Sequence, residues 1–304
     1  MTNALRAARN RIIPALITPL TSEGQLDVAS AERLIDHLYR SGVGGLYVGG
    51  STGEGIYLDF ETRKRLVELA VSASRGRGYV IAHVGAIEGS LALELARHAS
   101  SVGADGVASI PPFAGGYSWD EVQGYYRQLC AASSVPVVAY YIPGLTGQPI
   151  PVDKLATLAE LPGVVGFKVT DSNLYTLQRL STRLGPDQVL YNGPDELLAL
   201  GLQFGAHGGI GSTYNVMPKV ILEIASRMAS GKTAEAVATQ KCANDVIEAL
   251  LSVPALPAHK QALVWQGVIS TATCAAPRAP LTEAQIAELR KRLDQTVVRE
   301  TFVR

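Results

Sequence analysis

The 304-residue chain has no surplus of charge in either direction: 27 Lys and Arg side chains stand against 27 Asp and Glu, with no block of like charge. That balance gives no support to nucleic-acid binding or to a polybasic membrane patch, and leaves a small, anionic metabolite as the better partner class. Cysteine is scarce. Cys130, Cys242 and Cys274 are widely scattered and form no Cys-x-x-Cys pair, which argues against a disulfide framework and a structural zinc site. A reducing cytoplasm fits that usage. No segment reaches the roughly 18 apolar residues that a membrane-spanning helix requires. The stretch Met1 to Arg11 carries three arginines and no apolar run of signal-peptide length, so it reads as an N-terminal arm. Aromatic residues are few, at 6%, but 47% hydrophobic content against 18% charged excludes a disordered or fibrous chain.

At about 150 residues per domain the length suggests two domains, yet α/β barrels run well past that as one. Short apolar runs recur along the chain, each followed by a Gly/Ser/Pro-rich turn and a segment of helical period. They are Pro14 to Thr18, Gly45 to Val48, Tyr79 to Val84, Gly106 to Ile110, Val135 to Tyr141, Val164 to Val169, Gln188 to Tyr191 and Gly208 to Gly211. Several are apolar throughout, the mark of strands buried on both faces in a parallel sheet. Between them, Ala31 to Arg40 and Phe60 to Ser74 place Leu and Val at helical spacing, the second behind an Asp59 cap. Ser118 to Glu121 and Thr282 to Gln285 have capping-box spacing.

Eight strand–helix units over this length predict an α/β fold, a (β/α)8 TIM barrel with a C-terminal helical extension; an open doubly wound sheet is the alternative. The barrel with its short arm is expected over residues 1–230. Residues 231–304 hold helical periodicity and no further strand, punctuated by Pro254, Pro257, Pro277 and Pro280, and read as two or three helices packed on the barrel.

In such a barrel, polar residues at the C-terminal strand ends are read as chemical. Among eight lysines, Lys168 alone interrupts an apolar strand; the other seven lie in helical or turn segments where an ammonium is expected to reach water. Alternation puts Gly166, Lys168 and Thr170 on one face and Phe167 and Val169 on the other. A lysine pointing into the barrel is partly desolvated, which lowers a lysine pKa and frees the amine to attack a ketone. The competing explanation is an ion pair at the strand end. One of Tyr140 and Tyr141 must also face the lumen, where a phenol beside an imine can move protons; the other is a core aromatic.

Two Gly-rich turns with paired hydroxyls, Gly49 to Glu54 and Gly208 to Thr213, could each hold a carboxylate or phosphate on backbone N–H groups, or could simply be tight turns with N-caps. Asp195 and Glu196 could accept bonds from sugar hydroxyls, and Asp195 could equally cap a helix. His83 and His207 lack metal-ligand spacing, so no metal is expected.

Taken together, Gly50 to Glu54, Tyr140 before Ile142 and Pro143, Gly166 to Lys168, and Gly209 to Thr213 resemble the pyruvate-dependent aldolases of the dihydrodipicolinate synthase and N-acetylneuraminate lyase family. The resemblance spans the barrel. It implies a class I aldolase without a cofactor, in which Lys168 forms an imine with pyruvate, Tyr140 relays protons, and Ser51 and Thr52 hold the pyruvate carboxylate. It also implies a homo-oligomer, a dimer or a tetramer. Leu145 stands where the synthases usually place an arginine for a second carboxylate, and the segments around Lys168, Asp195 and Ser212 look like the lyase pattern. There Thr170, Gly193, Asp195, Glu196 and Ser212 would contact the sugar chain. The expected substrates are pyruvate and an aldehyde or sugar acid, with dihydrodipicolinate synthesis or another 2-oxo acid aldolase or hydratase-aldolase reaction as the alternative.

One segment departs from the family. Pro111 to Tyr117 lacks the tyrosine pair that relatives carry after the Phe, one of which serves a neighbouring subunit; Tyr117 stands at a shifted position from which it could substitute. Outside the family, a pyridoxal phosphate enzyme using Lys168 and the strand-eight glycines, or a non-catalytic regulatory barrel, remain as competing classes.

Overall fold

A computed structural model of the protein describes residues 12–302, and the N-terminal arm lies outside the described residues. Eight parallel strands, β1 (Ile12–Pro14), β2 (Gly45–Val48), β3 (Tyr79–His83), β4 (Gly106–Ser109), β5 (Val137–Tyr141), β6 (Val164–Val169), β7 (Val189–Asn192) and β8 (Gly208–Gly211), follow one another around the sheet. The first strand pairs with the last, Ile13 beside Ile210, and an Ala15–Tyr47 bridge joins β1 to β2. The ring therefore closes as a (β/α)8 barrel, and the open sheet is set aside.

The first strand is offset from its expected position at Pro14 to Thr18. Beyond Pro14 the chain stays extended but divides its bonds across the seam: the Ala15 N–H donates to Gly211 and the Leu16 N–H to Tyr47. The apolar run is the same; its ladder moves from one neighbour to the other.

Helices α1 (Val28–Arg40), α2 (Phe60–Ser74), α3 (Gly89–Ser101), α4 (Trp119–Ala132), α5 (Val152–Leu158), α6 (Leu174–Ser181), α7 (Leu198–Gln203) and α8 (Pro218–Ala229) return the chain between strands or follow the last one. The α1 helix starts one turn earlier than its apolar spacing suggests, because the Asp27 side chain accepts from the Ser30 N–H. Asp59 caps α2, and Ser118 with Glu121 closes a full capping box on α4, an arrangement worth about 1 kcal/mol per cap. After the barrel come α9 (Thr233–Leu251), α10 (Ala255–Trp265) and α11 (Glu283–Leu293), the last opened by the Thr282–Gln285 box.

Alternation along the strands makes two cores. Outward residues such as Leu46, Val48, Phe167 and Val169 join the large cluster under the helices. Inward residues Ile13, Tyr47, Ile81, Ala108, Val138, Tyr140, Val189, Tyr191 and Ile210 fill the lumen. On β6 the inward positions are Gly166 and Lys168, so the lysine occupies a place that the other strands give to apolar or aromatic groups.

Candidate active site

Lys168 lies near the C-terminal end of β6 and is 6% exposed. Its register partner on β5 is Tyr140 and on β7 is Tyr191. The amine sits 4.0 Å from the centre of the Tyr140 ring and 4.9 Å from that of Tyr47, on β2. Tyr47 and Tyr140 meet edge to face with ring centres 6.1 Å apart, and the His83 ring lies against both. Among the described residues Lys168 is in no ion pair; Asp195 is the carboxylate whose proton affinity its charge lowers. Tyr141, by contrast, packs in the outer core.

The lumenal tyrosine is held from one side. The Thr170 hydroxyl donates to the Tyr140 phenol oxygen at 3.2 Å, which leaves the phenolic proton free to point elsewhere. Gly193 is pressed against the same threonine: a Cβ there would lie 1.9 Å from Thr170 Oγ1, so no larger residue fits. Lys168, Tyr140, Thr170 and Gly193 are thus brought together as one wall of the barrel mouth.

Asp195 follows Gly193 after β7, on the side toward the adjacent β8, and is 5% exposed. Its Oδ2 accepts from the Thr213 N–H and hydroxyl, each at 2.7 Å, and from the Ser212 hydroxyl at 3.3 Å. The strand-eight turn was expected to offer these donors to a ligand anion; they are taken up by the protein's own carboxylate. Oδ1 is buried without a hydrogen-bond partner, and a Cβ on Gly211 would lie 1.9 Å from it. Burial pushes the Asp195 carboxyl above its ordinary range, against the Thr213 bonds and the Lys168 charge, which pull it down. Glu196, next in sequence, is exposed, and its backbone carbonyl accepts from Asn244. It is not gathered with Asp195.

Ser51 and Thr52 ride on the turn after β2, Ser51 exposed and Thr52 half-buried. The turn coils tightly: the Gly55 N–H donates to Gly50, and a Cβ on Gly55 would lie 1.9 Å from the Gly49 carbonyl oxygen. A Cβ on Gly50 would meet the Tyr47 ring at 2.7 Å, so the turn rests on the aromatic that flanks Lys168.

One expectation about the lysines fails. Lys260, on α10, does not reach water: both it and Glu54 are fully buried, and they form an ion pair at 2.5 Å. A helical lysine with Leu256 and Leu263 near it in sequence gave no sign of a partner 206 residues away.

Three residues at the site were not singled out from sequence. Tyr47 was visible as an aromatic in the middle of an apolar strand. Thr213 was seen only as part of a turn motif, and its bonds to Asp195 have no sequence signature. Arg63, on α2, is 7% exposed and donates to the His83 and Gly85 carbonyls at 3.0 Å, fixing the end of β3. His83 is fully enclosed; its Nε2 accepts from the Ile110 N–H at 3.4 Å, and burial with the nearby Arg63 and Lys168 charges drives its pKa down to about 3. His207 Nδ1 accepts from the Leu190 N–H, so neither histidine faces a shared ligand position. Tyr117 packs against the outer core, and Leu145 is exposed on the short helical turn Pro143–Thr146.

The chain is 37% identical over 288 residues to N-acetylneuraminate lyase of Enterobacter sp. (strain 638), covering 94% of this chain and 97% of that protein. Its fold matches a sialic acid aldolase of Ruminococcus gnavus, solved as a catalytic lysine mutant, with a TM-score of 0.93 at 27% identity over 99% and 98% of the two chains. A Clostridium difficile protein solved with mannosamine matches at TM-score 0.90 and 29% identity, over 96% and 99%. The family model for the dihydrodipicolinate synthetase family matches residues 8–296, and the chain is a member of that family.

Proposed function

We propose that the protein is a class I aldolase that cleaves or forms a carbon–carbon bond to pyruvate, with N-acetylneuraminate or a related 2-keto-3-deoxy sugar acid as substrate. The observation that carries this reading is the Lys168 amine, enclosed between two phenol rings at the C-terminal end of the barrel. An amine so placed, in its unprotonated form, attacks the C2 ketone; loss of water then gives an imine that can take up electrons without a metal.

In the cleavage direction Tyr140 accepts the proton of the C4 hydroxyl as the C3–C4 bond breaks, and the electron pair enters the protonated imine to give an enamine. The aldehyde departs. Protonation of the enamine carbon and hydrolysis release pyruvate and restore the amine. Thr170 orients Tyr140 for this role through its hydrogen bond. Ser51 and Thr52 receive the carboxylate of the 2-oxo acid, while Asp195 and Ser212, with Gly193 at the wall, receive the hydroxyls of the sugar chain.

Leu145 supplies no donor for a second carboxylate, where a guanidinium would bind one bidentately. The donors of the strand-eight turn are engaged by Asp195, which leaves a cofactor phosphate without them. Both points favour the sugar-acid reading over a synthase or a pyridoxal enzyme.

The test has two parts. Borohydride reduction with pyruvate is expected to add one pyruvyl group to Lys168 by intact mass and peptide mapping. Pyruvate release from N-acetylneuraminate or 2-keto-3-deoxy sugar acids is expected, with negligible condensation onto aspartate semialdehyde. Unmodified protein removes the aldolase reading; efficient condensation with the semialdehyde removes the sugar-acid assignment alone.

A further inference from the structure

The Glu54–Lys260 pair sits outside the chemistry just described, yet it is bonded into the turn that carries Ser51 and Thr52. Glu54 Oε1 accepts from Lys260 Nζ at 2.5 Å, and Oε2 from the Ala275 N–H at 2.7 Å. The lysine also donates to the Thr273 carbonyl at 2.6 Å. Glu54 has a backbone φ of 59°, a left-handed conformation that a non-glycine residue keeps only when its surroundings over-determine it. Next to it, the Gly53 carbonyl accepts from the Thr18 hydroxyl at 2.6 Å. The turn is thus gripped at two adjacent residues, from the first strand's extension and from the helical extension.

Burying both charges returns little stability over an apolar pair of the same volume, so stability alone gives such a pair no evident purpose. Its geometry does. Glu54 is two residues from Thr52 in a coil so tight that Gly55 touches Gly49, and a shift of Glu54 is passed to Ser51 and Thr52 by the backbone.

We propose that the Glu54–Lys260 ion pair is a positioning device for the carboxylate-binding turn, making the helical extension a working part of the site. It sets Ser51 and Thr52 on the Tyr47 side of Lys168, where the carboxylate of the 2-oxo acid is received. This rests on the assignment of those two hydroxyls to that carboxylate. Neither Glu54 nor Lys260 touches substrate; both act through the turn.

The distinguishing property is that only ketones bearing a carboxylate depend on the turn. Reductive trapping on Lys168 with cyanoborohydride is therefore measured against two probes, pyruvate and the neutral ketone hydroxyacetone, in the wild type and in Lys260→Met. The expected result is a rise of about tenfold in the pyruvate concentration for half-labelling. The labelling plateau and the hydroxyacetone response stay at wild-type values. An equal loss with both ketones makes the pair merely structural and overturns the proposal, as does no loss with either. If Lys260→Met does not fold, because it strands a buried carboxylate, Glu54→Gln with Lys260→Met removes both charges and is read by the same criterion. Wild-type protein that takes up no pyruvate at Lys168 fails the aldolase reading itself; a labelled wild type matched by the variants fails this inference alone.

Discussion

Lys168 and Tyr140 occupy paired positions on adjacent parallel strands, which puts the amine 4.0 Å from the centre of the phenol ring. Removing the amine while keeping the strand isolates its chemistry. Lys168→Ala is expected to reduce turnover to background and to abolish the pyruvate adduct. Lys154→Ala, on the exposed face of α5, should leave both intact. Steady-state kinetics with intact-mass trapping checks the pair, and retained turnover in Lys168→Ala removes the Schiff-base mechanism.

Tyr140→Phe keeps the ring that packs on Lys168 and deletes the hydroxyl proposed to move the proton. General acid–base catalysis contributes about 10²- to 10⁴-fold, so kcat should fall within that range. Borohydride trapping with pyruvate should persist. A variant with near-normal kcat would transfer the relay to another residue, with Tyr47 the next candidate in the lumen.

Asp195 has a structural duty toward Thr213 and a proposed one toward the sugar chain, and the two can be separated. Asp195→Ala should sharply lower sugar-acid turnover, and it also leaves the Thr213 donors unpaired, a cost of about 1–3 kcal/mol in stability. Asp195→Asn keeps an acceptor for Thr213 and should recover most of the stability but not the turnover. Thermal unfolding beside kinetics distinguishes the two; full activity in Asp195→Asn would show that its charge is not used.

The protein should lose stability in acid partly through His83. Its folded pKa of about 3 lies below the ordinary histidine value of 6.5 because burial disfavours the cation. As pH falls through 6.5 the unfolded chain takes up a proton that the folded one refuses. Stability contributed by the neutral ring is present above that pH and drains away toward pH 3, at up to about 1.4 kcal/mol per pH unit. His83→Gln should flatten this acid limb in urea titrations between pH 6.5 and 4. An unchanged slope would assign the limb to other groups, such as the buried His259, whose pKa is also lowered.

Much of this arrangement was legible in the sequence because a strand has a period of two. The period assigned Lys168 to the lumen from its apolar neighbours alone, and made Tyr140 and Tyr141 mutually exclusive candidates, of which the register of β5 against β6 selects Tyr140. Capping boxes at Ser118 and Thr282 were readable since their partners lie three residues apart. What escaped depends on distant parts of the chain. Lys260 resembles any helical lysine until Glu54 is brought beside it, and the Thr213 bonds to Asp195 exist only once β7 and β8 are side by side. The β1 offset has the same origin, since the seam it crosses is formed by chain termini of the barrel meeting.

The separation of 206 residues between Glu54 and Lys260 also sets an order of events on the ribosome. Synthesis at about 5–20 residues per second leaves roughly ten to forty seconds between making the glutamate and making its partner. Only in the last part of that interval, once β8 (Gly208–Gly211) has been made, are all eight strands present while the turn after β2 still waits for Lys260. The contacts that grip Glu54 are complete only when the segment through Ala275 has left the exit tunnel, so under the positioning role proposed above binding competence comes after the strands.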